Sequence, residues 1–154
     1  MSGATTEILR NLARVQAVFP PGFPFASEAL SAGVESLRLR RGIFGIASCY
    51  DPETGQIDLD PEADWGKIAL QVGRRHGLKL TPEDARAFAF LHECGHARRR
   101  KQVLGMPRRN LLGIGGSELS LSFFLADHIA IGNEEHEAES FAKKRFLEWK
   151  RGRP

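Results

Sequence analysis

The segment Thr81–Gln102 constrains the fold most, because it carries both ends of a helix and a reactive pattern in its middle. Thr81-Pro82-Glu83-Asp84 supplies a capping hydroxyl, a proline suited to the first helical position, and two acids facing the positive end of the helix dipole. Arg98, Arg99, Arg100 and Lys101 place bases at the other end, where the dipole favours them. Between lies Leu91-His92-Glu93-Cys94-Gly95-His96, the pattern His-Glu-x-x-His. Four residues is just over one helical turn, so His92 and His96 stack on one face. Neutral imidazoles at that spacing suit Zn²⁺. Glu93, rotated by about 100°, reaches a water beside such an ion without ligating it.

Two histidines leave zinc in need of a third protein ligand if the fourth position is to hold water. A last helix is expected from Asn133, as its cap, to about Lys150, and it offers Glu135 and Glu139 one turn apart on one face. Glu135 is the expected third ligand. Glu139 would accept a hydrogen bond from a ligand histidine and fix its tautomer. Glu139 itself, His128 and His136 are the alternative third ligands. His136 adjoins Glu135, and the two do not easily point at one ion.

The remaining chain reads as an α+β domain over residues 1–154. Ile8, Leu9, Leu12, Val15, Val18 and Phe19 are at helical spacing, and Pro20, Pro21, Gly22 and Pro24 end that helix. A second helix is expected over Ser27–Leu39 with Ser27 as cap, which puts two N-terminal helices in residues 1–40. Residues 42–60 read as a β-hairpin around Asp51-Pro-Glu-Thr-Gly55, hence a small antiparallel sheet. Gln56–Asp60 alternates polar and apolar, the pattern of a half-exposed edge strand whose acids guard it. Trp65–Arg75 is expected to be a short helix stopped near Gly77. Met106–Gly116 reads as a loop, and Ser117 can cap a helix to about Ile131.

With 42% apolar and 27% charged residues in 154, the chain has the balance of one compact domain and not of a disordered one. The net charge of +3 is unevenly spread. Acids run from Asp51 to Asp64 without a base, and bases from Arg98 to Arg109 without an acid. Such runs read as solvated faces in preference to nucleic-acid footprints, so nucleic acid is not the expected partner. Cys49 and Cys94 make no disulfide framework and are expected to be free thiols. Glu7, Arg10, Asn11 and Arg14 interrupt any secretory signal, and Leu119–Gly132 is too short to span a bilayer. A soluble, cytoplasmic protein without a membrane partner is expected.

At this point the chain resembles the ImmA/IrrE-type zinc metallopeptidases, a family with a minimal zincin-like domain. That family joins His-Glu-x-x-His to a later Glu-x-x-Ala-(Asp/Asn)-x-Phe-Ala. The counterparts here are His92 to His96 and Glu135-His136-Glu137-Ala138-Glu139-Ser140-Phe141-Ala142. The resemblance spans about Gly42 to Leu147. It implies one zinc per chain held by His92, His96 and Glu135, with Glu93 as the base. It also implies a narrow intracellular substrate such as a transcriptional repressor. Glu139 departs from the family's Asp or Asn, and the 39-residue interval from His96 to Glu135 is long for it.

The expected reaction is peptide-bond hydrolysis, in which Glu93 takes a proton from water and passes it to the leaving amine. The strand Gln56–Asp60 would hold an extended peptide by main-chain pairing, its acids favouring a basic substrate. Tyr50, His128 and His136 are candidates to stabilise the developing oxyanion. Cys94 is expected to be a packed thiol and His76 a surface residue. The alternatives are a metal-stapled nucleic-acid-binding module and an inactive interaction module of the same fold. A deformylase-like site with Cys49 as ligand is rejected, because the glycine-rich and Gln-containing motifs of that class are missing.

Overall fold

The computed structural model describes residues 3–42, 46–104 and 121–152, and the side chains within 10–42, 46–102 and 133–152. Among these residues the architecture is α+β, five helices around a small three-stranded mixed sheet. Among the described residues no helix is long and apolar enough to cross a membrane.

Helix α1 (Gly3–Gln16) leads through a Pro/Gly turn into α2 (Phe25–Ala32). Gly22 takes a φ of 76° in that turn, a conformation only glycine adopts cheaply. The turn drives Phe19 and Phe23 into the core. Their rings lie 5.2 Å apart and meet Phe90 at 5.3 and 6.0 Å. The single helix expected over Ser27–Leu39 is instead a helix and a strand. Gly33, at φ 80°, ends α2 by donating its amide to the carbonyls of Ala29 and Leu30. Ser36–Leu39 then forms strand β1. Ser27 is not a cap; it lies inside α2 and donates back to the Pro24 carbonyl at 3.1 Å. The physical reason is legible afterwards: Ser36-Leu37-Arg38-Leu39 alternates with period two, which a helix cannot bury on one face.

Strand β2 (Ser48–Asp51) and β3 (Gln56–Leu59) form the expected hairpin, with Cys49 opposite Asp58. The tight turn is held by Asp51, whose carboxylate accepts from the Glu53 amide and the Thr54 hydroxyl. The sheet is not purely antiparallel, and Gln56–Asp60 is not an edge. β1 pairs parallel with β3 on its other side, in the order β1-β3-β2, and Ile57 and Leu59 are wholly buried. The acids of β3 are therefore used internally. Arg38 clasps Asp58 with two bonds of 2.9 and 2.8 Å, and Asp60 accepts from the amides of Gly42 and Glu62.

Helix α3 (Trp65–His76) is capped by Asp64, which accepts from the Lys67 amide, and ends at Gly77 with φ 67°. Helix α4 (Pro82–Leu104) opens with a reciprocal cap, in which Thr81 and Asp84 each bind the other's amide. Its Ala85, Phe88, Phe90, Leu91, Cys94 and Ala97 are buried, so it forms the spine of the core. Helix α5 (Leu121–Arg151) lies against it and buries Ala138, Ala142 and Phe146 at steps of four. The two helices expected to meet at Asn133 are one. Asn133 is exposed on a continuous helix, where a good capping residue costs only about half a kcal/mol. The expected loop at Met106–Gly116 and cap at Ser117 lie outside the described residues.

Candidate metal centre

Burial of several sides of α4 leaves one face free, and that face carries His92 and His96. Across it runs α5, which meets α4 at two small residues, Gly95 and Ala138. A Cβ built on Gly95 would sit 2.8 Å from the Ala138 Cα and 3.1 Å from its Cβ. The glycine in His-Glu-Cys-Gly-His thus lets the second helix approach. Glu135 lies one turn before Ala138, and its carboxylate reaches over both histidines.

The result is a compact triad. His92 Nε2 and His96 Nε2 are 3.2 Å apart, and the two Glu135 oxygens lie 3.2 and 3.1 Å from them. All three donor groups fall within 4.8 Å of one another, the one such cluster of ligating residues among those described. Zinc bonds of about 2.0–2.1 Å in a tetrahedron require donors about 3.3 Å apart. The spacing of the two imidazoles fits that edge, and each Glu135 oxygen stands about that far from one of them. Two imidazoles with one carboxylate are a donor set that leaves a fourth position for water.

Glu93 lies beside the triad and is only 7% exposed. Ser48 Oγ on β2 donates to its Oε1 at 2.8 Å. Burial pushes the Glu93 carboxyl above its usual range, against the opposing pull of the Ser48 bond and the two histidines. A carboxyl in that balance exchanges a proton more readily near neutrality than an exposed one. The groove between β2 and α4 is a cleft of about 670 Å³. Ile46, Ser48, Cys49, Tyr50 and Pro52 line one wall; Arg99, Arg100 and Glu134 line the other.

The other candidates fall elsewhere. Glu139 does not support a ligand histidine: its Oε1 takes Arg75 at 2.5 Å and stands 3.8 Å from His76 Nε2. One turn beyond Glu135, the continuous α5 has already carried that side chain over to α3. His136 is exposed, and the side chain of His128 is outside the described set. His76 is not a surface residue; its ring packs 5.2 Å from that of Phe88. Cys94 is fully buried, and burial pushes its thiol far up, as a packed thiol requires. Tyr50 does line the cleft, its hydroxyl accepting from Arg100 Nη1 at 3.3 Å.

Two wall residues, Ser48 and Arg100, have no place in the motif. Arg100 had a readable signal, since it repeats the four-residue step of His92 and His96. Ser48 had none, being 45 residues from the carboxylate it binds. Compared with family models, with curated proteins and with solved structures, the chain finds no match in any of the three.

Proposed function

We propose that the protein is a zinc-dependent peptide hydrolase of the zincin type, with the ImmA/IrrE-type peptidases as its nearest resemblance. The observation that carries this reading is the triad of His92, His96 and Glu135, its donor atoms within 4.8 Å of one another, with a buried carboxylate, Glu93, beside it. Bound there, zinc would supply Lewis acidity and bring the pKa of a water towards about 7.

The chain's own residues do the rest. Glu93 accepts the proton of the attacking water and delivers it to the departing amine, and the Ser48 hydroxyl keeps that carboxylate turned to the cleft. The strand that borders the cleft is β2, flanked by a strand on one side only among the described residues. An extended peptide would pair with β2 and not with Gln56–Asp60. On the family resemblance, the substrate is a narrow regulatory target such as a repressor.

Elemental analysis after dialysis against a weak chelator tests the metal. About one zinc per chain is expected, lost or much reduced in His92→Ala and Glu135→Ala. Cleavage of a mixed peptide library should then fall by on the order of a thousandfold in Glu93→Gln with zinc retained. Zinc without cleavage in wild type would make the domain a metal-stabilised interaction module. No zinc uptake would end the hydrolase reading.

A further inference from the structure

The metal cleft has a second polar end, and its interpretation rests on the hydrolase reading above. Arg100 follows His96 by four residues as His96 follows His92, so the three share one face of α4. On the facing strand, Ser48 and Tyr50 are two residues apart and share a face. Ser48 binds Glu93, and Tyr50 accepts from Arg100, so the strand matches the helix at both points.

The two arginines of the cleft differ in what occupies them. Arg99 stands 3.2 Å from Glu134 and is bonded to Glu137. Arg100 is half-buried, and its one hydrogen-bond partner among the described side chains is the neutral Tyr50 phenol. No carboxylate among the described residues pairs with it. One acid that feels its charge is Asp51, whose oxygens are already engaged by the Glu53 amide and the Thr54 hydroxyl. A guanidinium carries five N–H donors in a planar fork that fits a carboxylate with two parallel bonds. Arg100 uses one donor, on a neutral group, at the wall of a cleft.

We infer that Arg100, its fork steadied by Tyr50, forms a subsite for a carboxylate of the bound peptide. The four-residue step from His96 is about 6 Å along the helix, and an extended peptide advances about 3.3 Å per residue. The carboxylate therefore belongs about two residues from the scissile bond. It comes from an Asp or Glu side chain or from the peptide's own C-terminus. The acids of Gln56–Asp60 do not oppose this preference. Asp58 is held by Arg38 and Asp60 by backbone amides, and neither lines the cleft. The expectation of a basic substrate is replaced by that of an acidic one.

Two readouts separate this subsite from the hydrolase reading. The first is cleavage-site profiling of a mixed peptide library by mass spectrometry, with wild type, Arg100→Gln and Arg100→Glu, each checked for unchanged zinc content. Wild type should enrich Asp, Glu or a free C-terminus at one position about two residues from the cut. Arg100→Gln should lose that enrichment, and Arg100→Glu should turn it towards Lys and Arg. The second readout needs no turnover. It is the fluorescence anisotropy of labelled, end-capped alanine hexapeptides bearing Glu, Gln or Lys, and of an alanine hexapeptide with a free C-terminus, on zinc-loaded Glu93→Gln protein.

The Glu peptide should bind about tenfold tighter than its Gln twin, and adding Arg100→Gln should abolish the difference. Tight binding of the free-C-terminus peptide alone would assign the carboxylate to the chain end. Cleavage with no acidic preference, or with one that Arg100→Gln leaves intact, overturns the subsite and spares the hydrolase. Absence of cleavage with Arg100-dependent binding of the Glu peptide does the reverse. Equal binding of the Glu, Gln and free-C-terminus peptides overturns the subsite whatever the cleavage assay gives.

Discussion

The Ser48 hydroxyl donates at 2.8 Å to a carboxylate that is only 7% exposed, and so keeps a buried acceptor from standing unpaired. Leaving such an acceptor without its donor costs about 1–3 kcal/mol, and here the carboxylate can relieve that cost by turning away from the cleft. In Ser48→Ala, kcat on a cleaved peptide should drop about tenfold while KM and zinc content hold, and Ser48→Thr should recover most of the loss. An unchanged kcat would remove Ser48 from the positioning of Glu93. Cys94 illustrates the opposite case at the same scale. It sits next to the reactive carboxylate in sequence, yet its side chain points into the core, where burial keeps the thiol protonated and inert.

At the scale of elements, the site depends on how closely α5 approaches α4. Contact of Gly95 with Ala138 sets that distance; His96 adjoins Gly95, and His92 and Glu135 each lie three residues before the contact. A methyl at Gly95 gains about 1 kcal/mol of helix propensity but forces the helices apart, which costs about 1–3 kcal/mol in a well-packed contact. Gly95→Ala should therefore be destabilised by about 1 kcal/mol net in urea unfolding of the metal-free protein. The more telling effect is on the metal. Displacing Glu135 from two histidines on the other helix should weaken zinc at least about tenfold in a chelator competition. Unchanged affinity would show that Glu135 is held by something other than this contact.

Across the whole molecule, α5 ties distant parts together. Arg145 reaches the buried Glu28 of α2, and Lys150 reaches Asp84 at the start of α4, at 2.6 Å. Nearer the site, Glu139 meets α3 through Arg75 and His76. His76 is enclosed by Phe88 of α4, Glu139 and Lys143 of α5, and Arg75 beside it. Burial lowers its pKa, outweighing the attraction of Glu139, while Lys143 and Arg75 push the same way as burial. The unfolded chain protonates this histidine near about 6.5, before the folded one does. The unfolded state thus binds more protons in that window, and the contribution of His76 to stability falls as pH is lowered. The urea midpoint of His76→Leu should decline less than that of wild type between pH 7.5 and about 5.5. Parallel declines would show that the ring is not held neutral by the fold.

What the chain determines locally is whatever nearest neighbours decide. The cap at Thr81, the stop at Gly77, the turn at Asp51–Gly55 and the one-turn spacing of His92 and His96 all follow from interactions within a few residues. The rest waited on tertiary contacts. Gln56–Leu59 has the alternation of an edge strand, and only the return of Ser36–Leu39 alongside it makes it central and buries Asp58 against Arg38. Asn133 has the chemistry of a cap, yet packing of Ala138, Ala142 and Phe146 on α4 carries one helix straight through it. That straight path delivers Glu135 to the histidines and takes Glu139 past them to α3. A four-residue spacing states which side chains share a face, but where the face points is settled by the neighbour it packs against.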